Sequence, residues 1–393
     1  MNIDITGGET MKKNNKRAVI ISFYRWWYSR QVYFANWLNS NGYDVDYYTA
    51  DFDHISKEYN MGEKLPDIGH YIHVPAYKKN ISINRIISNM VFAKKILNKL
   101  KKNKPDVVIC LIPSNFLGVA IKSYRKINPK ATIIIDVLDM WPESLPITKQ
   151  RVILKPIMSV WKKMRTRALL SSDGIIYECN LFKNEIEESI NLKNSDVLYL
   201  QKGKRKYNVE RKLLNEINFA YVGSINSIID IDRMIDLLDK VNRKKNINLV
   251  IIGCGDHEQY FISLAKEKKI NVKFYGPIFD DDLKHQILSR CHFGLNVMKN
   301  TLKIGLTTKS MDYLCEGLPL INSVGSDTME LVKYYNAGLN LNELGDDNCI
   351  EKLCNMNNYE YENLMDGAKK MFDNNFSAEI YEKNVDNILK KII

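Results

Sequence analysis

Ile217–Gly255 reads INFAYVGSINSIIDIDRMIDLLDKVNRKKNINLVIIGCG. Ile217–Val222 is a short apolar run of strand type, Ile231–Arg243 has helical periodicity, and Asn248–Ile252 is a second apolar run closed by Gly253-Cys254-Gly255. Strand, helix and strand in succession, with strands apolar throughout, is the repeating unit of a parallel sheet covered on both faces.

The same alternation extends outward in both directions. Further strands are expected at Ala18–Phe23, Asp44–Thr49, Tyr71–Pro75, Asp106–Ile112, Ala131–Leu138, Gly174–Cys179 and Val197–Gln201. After Gly255 they are expected at Val272–Tyr275, Phe293–Val297, Leu318–Asn322 and Gly338–Leu341. Ile83, Ile86, Ile87, Met90, Leu97 and Leu100 mark the apolar face of one intervening helix. Leu154, Ile157, Met158, Trp161, Met164 and Ala168 mark that of another, and Asp256–Lys269 is a third. Ala378–Ile393 closes the chain as an amphipathic helix. Lys202–Lys212 is polar and basic and reads as a linker, so the chain divides into two doubly wound α/β domains. The expected division is a tail at 1–10, one domain at 11–205, a second at 206–376 and the closing helix at 377–393.

The chain has 393 residues, more than one compact core of ordinary size holds. With 45% hydrophobic and 26% charged residues it is globular in composition, not disordered or collagen-like. No apolar run approaches the ~18 residues of a membrane-spanning helix. Ala18–Phe23 is too short for the core of a secretory signal. The seven cysteines are scattered without metal spacing, which points to buried thiols in a reducing compartment and to no metal site. The net charge of +11 is confined to one half. Residues 1–200 carry 30 Lys and Arg against 19 Asp and Glu, and 201–393 carry 27 of each. The expected partner of the first half is therefore anionic, either a membrane surface or a nucleic acid.

Two α/β domains in tandem bind ligands at the carboxyl ends of their strands. Glycosyltransferases and epimerases of nucleotide sugars, dehydrogenases, and periplasmic binding proteins share that plan. A dinucleotide fold needs Gly-x-Gly-x-x-Gly, and Gly253-Cys254-Gly255 supplies two of the three glycines, equally suited to a tight turn. Leu302–Leu331, LKIGLTTKSMDYLCEGLPLINSVGSDTMEL, holds the richest cluster. Thr307 or Thr308 caps a short helix there and Gly317 ends it. Lys309 and Asp312 sit in its first turn, the first suited to a phosphate oxygen and the second to ribose hydroxyls. Gly325-Ser326-Asp327-Thr328 is a small turn whose N–H groups also suit an anion. An ordinary capped helix accounts for the same residues.

Lys309…Asp312-Tyr-Leu-Cys-Glu-Gly317-Leu-Pro319-Leu-Ile321 resembles the donor-binding signature of glycosyltransferase family 4, the group 1 transferases of GT-B fold. The variant found among surface-polysaccharide transferases is the nearer one. Phe219-Ala-Tyr-Val-Gly223-Ser-Ile-Asn226, Leu249-Val-Ile-Ile-Gly253-Cys-Gly255 and Val272-Lys-Phe-Tyr-Gly276 resemble further segments of that family in order and spacing. Asp136-Val-Leu-Asp139-Met-Trp-Pro142-Glu143-Ser144 resembles an Asp-Leu-Trp-Pro-Glu-Ser segment of the same polysaccharide transferases. The chain departs from the pattern where Ile304 replaces the first glutamate of the family pair and Asp312 the second. Ser224 and Asn226 occupy the turn where the family places an Arg and Lys clamp, with Arg233 the nearest base, and Asp139 stands where a His is common.

The resemblance implies a GT-B α/β fold and a retaining transferase that needs no metal or other cofactor, the nucleotide sugar being a substrate. The donor, a UDP-sugar, would lie against Gly223, Ser224, Asn226, Gly253, Gly255, Thr308, Lys309, Asp312, Gly325, Ser326, Asp327 and Thr328. Asp139 and Lys309 are the candidate catalytic residues, Asp139 being equally readable as a strand-end cap. The acceptor would be a saccharide on a polyprenyl diphosphate, and the enzyme would sit on the cytoplasmic face of the membrane. Nine Lys and Arg without an acid between Lys78 and Lys104, and seven between Lys149 and Arg167, suit that anionic surface. Trp161, Lys162, Lys163 and Arg165 on the second run, with Arg25 and Trp26 in an aromatic turn shared with Tyr24, Trp27, Tyr28 and Tyr33, are the candidate acceptor and membrane contacts. No nucleic-acid module is present, so nucleic acid is not an expected partner. A UDP-sugar 2-epimerase and a non-catalytic subunit of the same fold are the alternatives left open.

Overall fold

The structure, a computed structural model, describes residues 16–24, 30–59, 65–79, 82–143, 151–188, 190, 192, 194–203, 216–300 and 303–393. The turn holding Arg25, Trp26, Trp27 and Tyr28, and most of the basic linker, lie outside the described residues. The chain separates into two compact units. The first comprises Met1–Glu178, Phe182–Leu198 and Glu382–Ile393, and the second Cys179–Leu181 and Tyr199–Tyr381.

The first unit is built on seven parallel strands: β1 (Arg17–Ser22), β2 (Asp44–Ala50), β3 (Gly69–Ile72), β4 (Val107–Ile112), β5 (Thr132–Val137), β6 (Gly174–Tyr177) and β7 (Ser195–Val197). Their order is β3-β2-β1-β4-β5-β6-β7. The second unit has six parallel strands, β8 (Glu216–Val222), β9 (Asn246–Ile252), β10 (Asn271–Phe274), β11 (Phe293–Asn296), β12 (Leu320–Asn322) and β13 (Gly338–Asn340), ordered β10-β9-β8-β11-β12-β13. In each sheet the order reverses between two strands, β1 and β4 in one and β8 and β11 in the other. Crevices at the carboxyl ends form at such reversals.

Each expected strand has a counterpart, but β7 shares only Val197 with the expected Val197–Gln201; two other shifted boundaries have local causes. β3 ends at Ile72 because the N–H of Val74 turns to the carboxylate of Asp51 and Pro75 has no N–H to give. β12 begins only at Leu320, since the N–H of Leu318 closes a turn onto Tyr313 and Pro319 cannot donate. β4 is buried at all six positions, as a central strand with helices on both faces must be.

Two helices turn part of the expected apolar face outward. Ile83–Asn103 packs Ser88, Asn89, Phe92, Ala93, Ile96 and Leu100 inward. Ile83, Ile87 and Met90 of the expected core face are 74%, 44% and 50% exposed. On Arg151–Leu169 the expected core residue Ala168 is buried but Ile157 is exposed, as is Val160, and Arg165, not expected inside, is buried. The helix can lie so close because Gly118 of the neighbouring helix Asn115–Ile127 has no side chain: a Cβ there would fall 2.6 Å from that of Ala168.

The end of the closing helix belongs to the first unit. Trp37 Nε1 donates to Asp386 at 3.0 Å, Lys391 pairs with Asp196 at 2.9 Å, and Ile392 fills the space left by the absent side chain of Gly174. All seven cysteines are free thiols, and five are buried. Among the described residues no helix is long and apolar enough to cross a membrane.

Candidate functional site

The second unit gathers most of the expected donor residues at the carboxyl ends of β8, β9 and β11. Gly223 follows β8 directly with φ +116°, and its N–H donates to Ile252 O. Gly253 and Gly255 follow β9 with φ +152° and +155°. A Cβ on Gly253 would stand 2.0 Å from the carbonyl oxygen of Gly223, and one on Gly255 2.3 Å from that of Ile225. Neither position admits a side chain. Gly253 N–H is itself spent on Gly276 O. These glycines shape the β8 turn by close backbone packing; the N–H groups of Gly223 and Gly253 are not turned toward a ligand.

Lys309 reaches over that turn. It lies in the helix Thr308–Leu314, whose start is fixed by Thr307 accepting from Ser310 N at 3.1 Å. Thr307 also donates to Asn296 at 2.9 Å. Asn296 ends β11 and donates to Asn322 of β12, which donates to Asn340 of β13, each at 2.9 Å. The three asparagines are adjacent in the sheet register. This buried amide ladder ties the lysine-bearing helix to the strand ends, and each amide in it has partners.

The Lys309 amine lies 3.1 Å from the Tyr221 hydroxyl and 4.6 Å from the centre of its ring. Tyr221 in turn donates to Ser224 O at 2.6 Å. No carboxylate pairs with Lys309 among the described residues. Burial therefore goes uncompensated and lowers its pKa to about 8. A cation so placed gains from any anion that approaches it. Gly223 lies directly beneath, where a Cβ would be 3.8 Å from the lysine's Cε. Gly325 heads the helix Ser326–Tyr335, with open space where its side chain would be.

Other expected donor residues have structural employment. Asp327 is 1% exposed and accepts from the N–H groups of Asn180 and Leu181, from the Asn180 amide and from the Tyr199 hydroxyl, at 2.7 to 3.0 Å. Thr328 bonds Gly305 O through both its N–H and its hydroxyl. Asp312 is ion-paired with Lys202. Ser326 donates to Asp327 at 3.2 Å, and Asn226 accepts from Ile228 N at 3.2 Å. Arg233 is held by Asp346 and Asn342. Ser224 and Thr308 are exposed.

In the first unit, Asp139 stands two residues past β5 and accepts from Met140 N at 2.7 Å, as a strand-end cap does. Beside it is a group of which the sequence marks only Asp136, the first residue of the segment Asp136–Ser144. Arg30 makes a bidentate, fully buried pair with Asp136 and donates to Leu198 O at 2.5 Å. Glu178, just past β6, lies within electrostatic reach of Arg30, Asp139 and Asp136. Burial, with the two acids outweighed in part by Arg30, raises its pKa to about 8. Glu178 shows in the sequence only as an acid at the end of an apolar strand, and Arg30 carries no local signal.

The basic helix is corrected in one respect. Arg165 is 2% exposed, its guanidinium held bidentately by Glu143 and bonded to Trp141 O at 2.9 Å. It is a structural anchor and not a surface contact, because it projects to the side where Ala168 packs. Lys162 and Lys163 are exposed and Trp161 is half-buried. Among the described residues no three His, Cys, Asp or Glu side chains converge as metal ligands do.

Residues 204–341, which contain this Lys309 site, match the model of the family described as glycosyl transferases group 1. The chain carries a group 1 glycosyltransferase domain. That domain marks it as a glycosyltransferase. Its two sheets match solved GT-B structures over nearly the whole chain. The lipopolysaccharide outer core galactosyltransferase WaaB is similar with a TM-score of 0.66 at 17% identity, covering 96% of this glycosyltransferase and 100% of WaaB. Anabaena Alr3699/HepE, solved with UDP and glucose, gives 0.64 at 12% identity, covering 96% and 100%. Acinetobacter baumannii MurG gives 0.52 at 11%, covering 95% and 99%. At these identities the likeness is one of fold. No protein with a curated description matches the chain in sequence.

Proposed function

We infer that this glycosyltransferase moves a sugar from a UDP-sugar, with retention of configuration, to a saccharide carried on a polyprenyl diphosphate, as a step in bacterial surface-polysaccharide assembly. The second unit holds the donor and the first the acceptor. The observation that carries this reading is the desolvated amine of Lys309 above the Gly223 turn, with no carboxylate partner among the described residues. The leaving diphosphate gains negative charge as the bond to the sugar breaks, and a fixed cation in a poorly solvated place stabilises that charge more than the ground state. Groups of this kind contribute about 3 kcal/mol. In this reading the charge is met by Lys309 and not by a metal, and Gly325 leaves the start of its helix open to the same anion. HepE has been solved with UDP-glucose, which favours uridine among the nucleotides.

The peripheral membrane placement, on the cytoplasmic face, is supported by the outer face of Ile83–Asn103. It exposes Ile83, Ile87 and Met90, followed by exposed Lys94 and Lys101 on the same side. Exposed Ile157 and Val160 precede Lys162 and Lys163 on the second basic helix. Apolar residues flanked by lysines suit an interface with anionic lipid. Thermal unfolding with UDP, GDP and UDP-sugars, on the wild type and Lys309→Met, tests the donor site; nuclear magnetic resonance of the product's anomeric centre tests retention.

A further inference from the structure

A cavity with no role in the site described above lies on the flank of the first unit. It has a volume of about 700 Å³ and runs between the edge strand β3 and the later turns of the helix Ile83–Asn103. His70, Tyr71, Ile72 and His73 form one wall, and Lys95, Asn98, Lys99 and Lys102 form the other. The three lysines are spaced i, i+4 and i+7, so they stack along one side of the helix over about 10 Å. The acids nearest the strand wall are already engaged: Asp46 accepts from His70 at 2.8 Å and Asp51 from His73 at 2.7 Å. Lys95 is bonded to His73 O at 2.8 Å. Lys99 and Lys102 pair with no carboxylate among the described residues. The groove is thus a concave surface with a row of ammonium groups and an amide, and with its neighbouring carboxylates occupied.

We propose that this groove binds phosphate groups, taking two or more linked phosphates along the row Lys95, Lys99 and Lys102. The row is longer than a single phosphate, and lysine ammonium groups are point charges that suit phosphate oxygens without a fixed angle. The groove belongs to the first unit and Lys309 to the second, and the proposal does not depend on the donor reading. Its ligand chemistry is shared by a lipid headgroup at a membrane surface and by a soluble diphosphate.

Lysine acylation of the full chain, quantified residue by residue by mass spectrometry, tests it. The probes are inorganic pyrophosphate, vesicles of phosphatidylglycerol with phosphatidylcholine, and vesicles of phosphatidylcholine alone. Lys266 and Lys273, exposed on the second unit, are internal references. Expected is slowing of Lys99 and Lys102 by about fivefold relative to those references. Slowing by pyrophosphate identifies a soluble ligand and slowing by the anionic vesicles alone a headgroup; either supports the groove. The double variant Lys99→Gln, Lys102→Gln, altered only at exposed positions, is expected to lose the protection remaining at Lys95 while unfolding at the wild-type temperature. Equal labelling of all five lysines with and without both phosphate probes, or protection confined to Lys94 and Lys101 on the outer face of the same helix, overturns the proposal.

Discussion

Lys309 and Tyr221 meet by hydrogen bond and ring face at once, the amine 3.1 Å from the hydroxyl and 4.6 Å from the ring centre. The pair joins a strand end to a helix start 88 residues further along the chain. It solvates the cation only in part, and the remainder of the electrostatic cost is what an anionic ligand can remove.

That cost has a sign in pH. The folded pKa of Lys309, about 8, lies below the ordinary lysine value of 10.5. Between the two the unfolded chain binds more protons, so stability rises with pH across that range. Below pH 8 the full penalty is present. Lys309→Met is therefore expected to raise the unfolding free energy at pH 7 by ~1–3 kcal/mol while removing protection by UDP. For the wild type, protection by UDP should be greater at pH 7 than at pH 9.5. A fall in stability of the methionine variant in denaturant titrations at pH 7 counts against an uncompensated charge.

Glu178 gives the opposite slope. Its folded pKa is raised from 4.5 to about 8, so stability is lost as pH climbs from 4.5 through 8. Glu178→Gln keeps the shape and removes the ionisation. It is expected to raise the melting temperature at pH 8 and to leave it nearly unchanged at pH 4.5. An equal change at both pH values shows that the residue acts through packing alone.

Asp327 is expected to behave as a structural residue. Asp327→Asn replaces one acceptor oxygen with a donor facing N–H groups and a hydroxyl, at a cost of about 2–4 kcal/mol. Michaelis constants for the donor, measured at a temperature where the variant stays folded, should match the wild type. A large rise in that constant with little loss of stability returns Asp327 to the sugar site.

Gly253→Ala forces a Cβ into the carbonyl oxygen of Gly223, which lies 2.0 Å from its position. The clash and the positive φ together should cost ~3 kcal/mol or more and displace the turn beneath Lys309. Circular dichroism melts and nucleotide protection should both decline. Retention of wild-type stability contradicts the close approach.

Arg165 and Lys163 separate two uses of one basic helix. Arg165→Met leaves Glu143 without its bidentate partner and should destabilise by ~3 kcal/mol, with vesicle binding of the folded fraction unchanged. Lys162→Gln with Lys163→Gln should weaken sedimentation with anionic vesicles and spare the melting temperature. The reverse pattern contradicts the assignment of Arg165 to the interior.

Strand positions were legible because a buried parallel strand needs an apolar run and a turn residue at its end, and Val222-Gly223 or Ile252-Gly253 supplies both locally. Helix faces were less so. Ile83, Ile87 and Met90 have core chemistry and helical spacing, yet Phe92 and Ile96 are turned inward, and of the expected stripe Leu100 alone is fully buried with them. Periodicity gives a stripe but does not say which of two stripes the sheet covers. Lys309 could be found because capping and charge act within one helical turn. Its partner Tyr221, the Asn296–Asn322–Asn340 ladder and the Arg30–Asp136 pair are set by register between strands and by contacts far apart in sequence. A repeated sign does exist for the ladder: an asparagine closes or follows each of the runs FGLN, LIN and GLN. Arg165 read as a surface charge because an arginine on a basic helix carries no local mark of burial; Glu143, which neutralises it, lies 22 residues away.

The most direct test of the central claim is thermal unfolding of the wild type and Lys309→Met at pH 7 in saturating UDP. The account predicts a clear upward shift for the wild type, and for the variant a higher melting temperature without UDP and no shift with it. A well-folded wild type that gains nothing from UDP, or a variant that gains as much as the wild type, would contradict the assignment of Lys309 to the donor diphosphate.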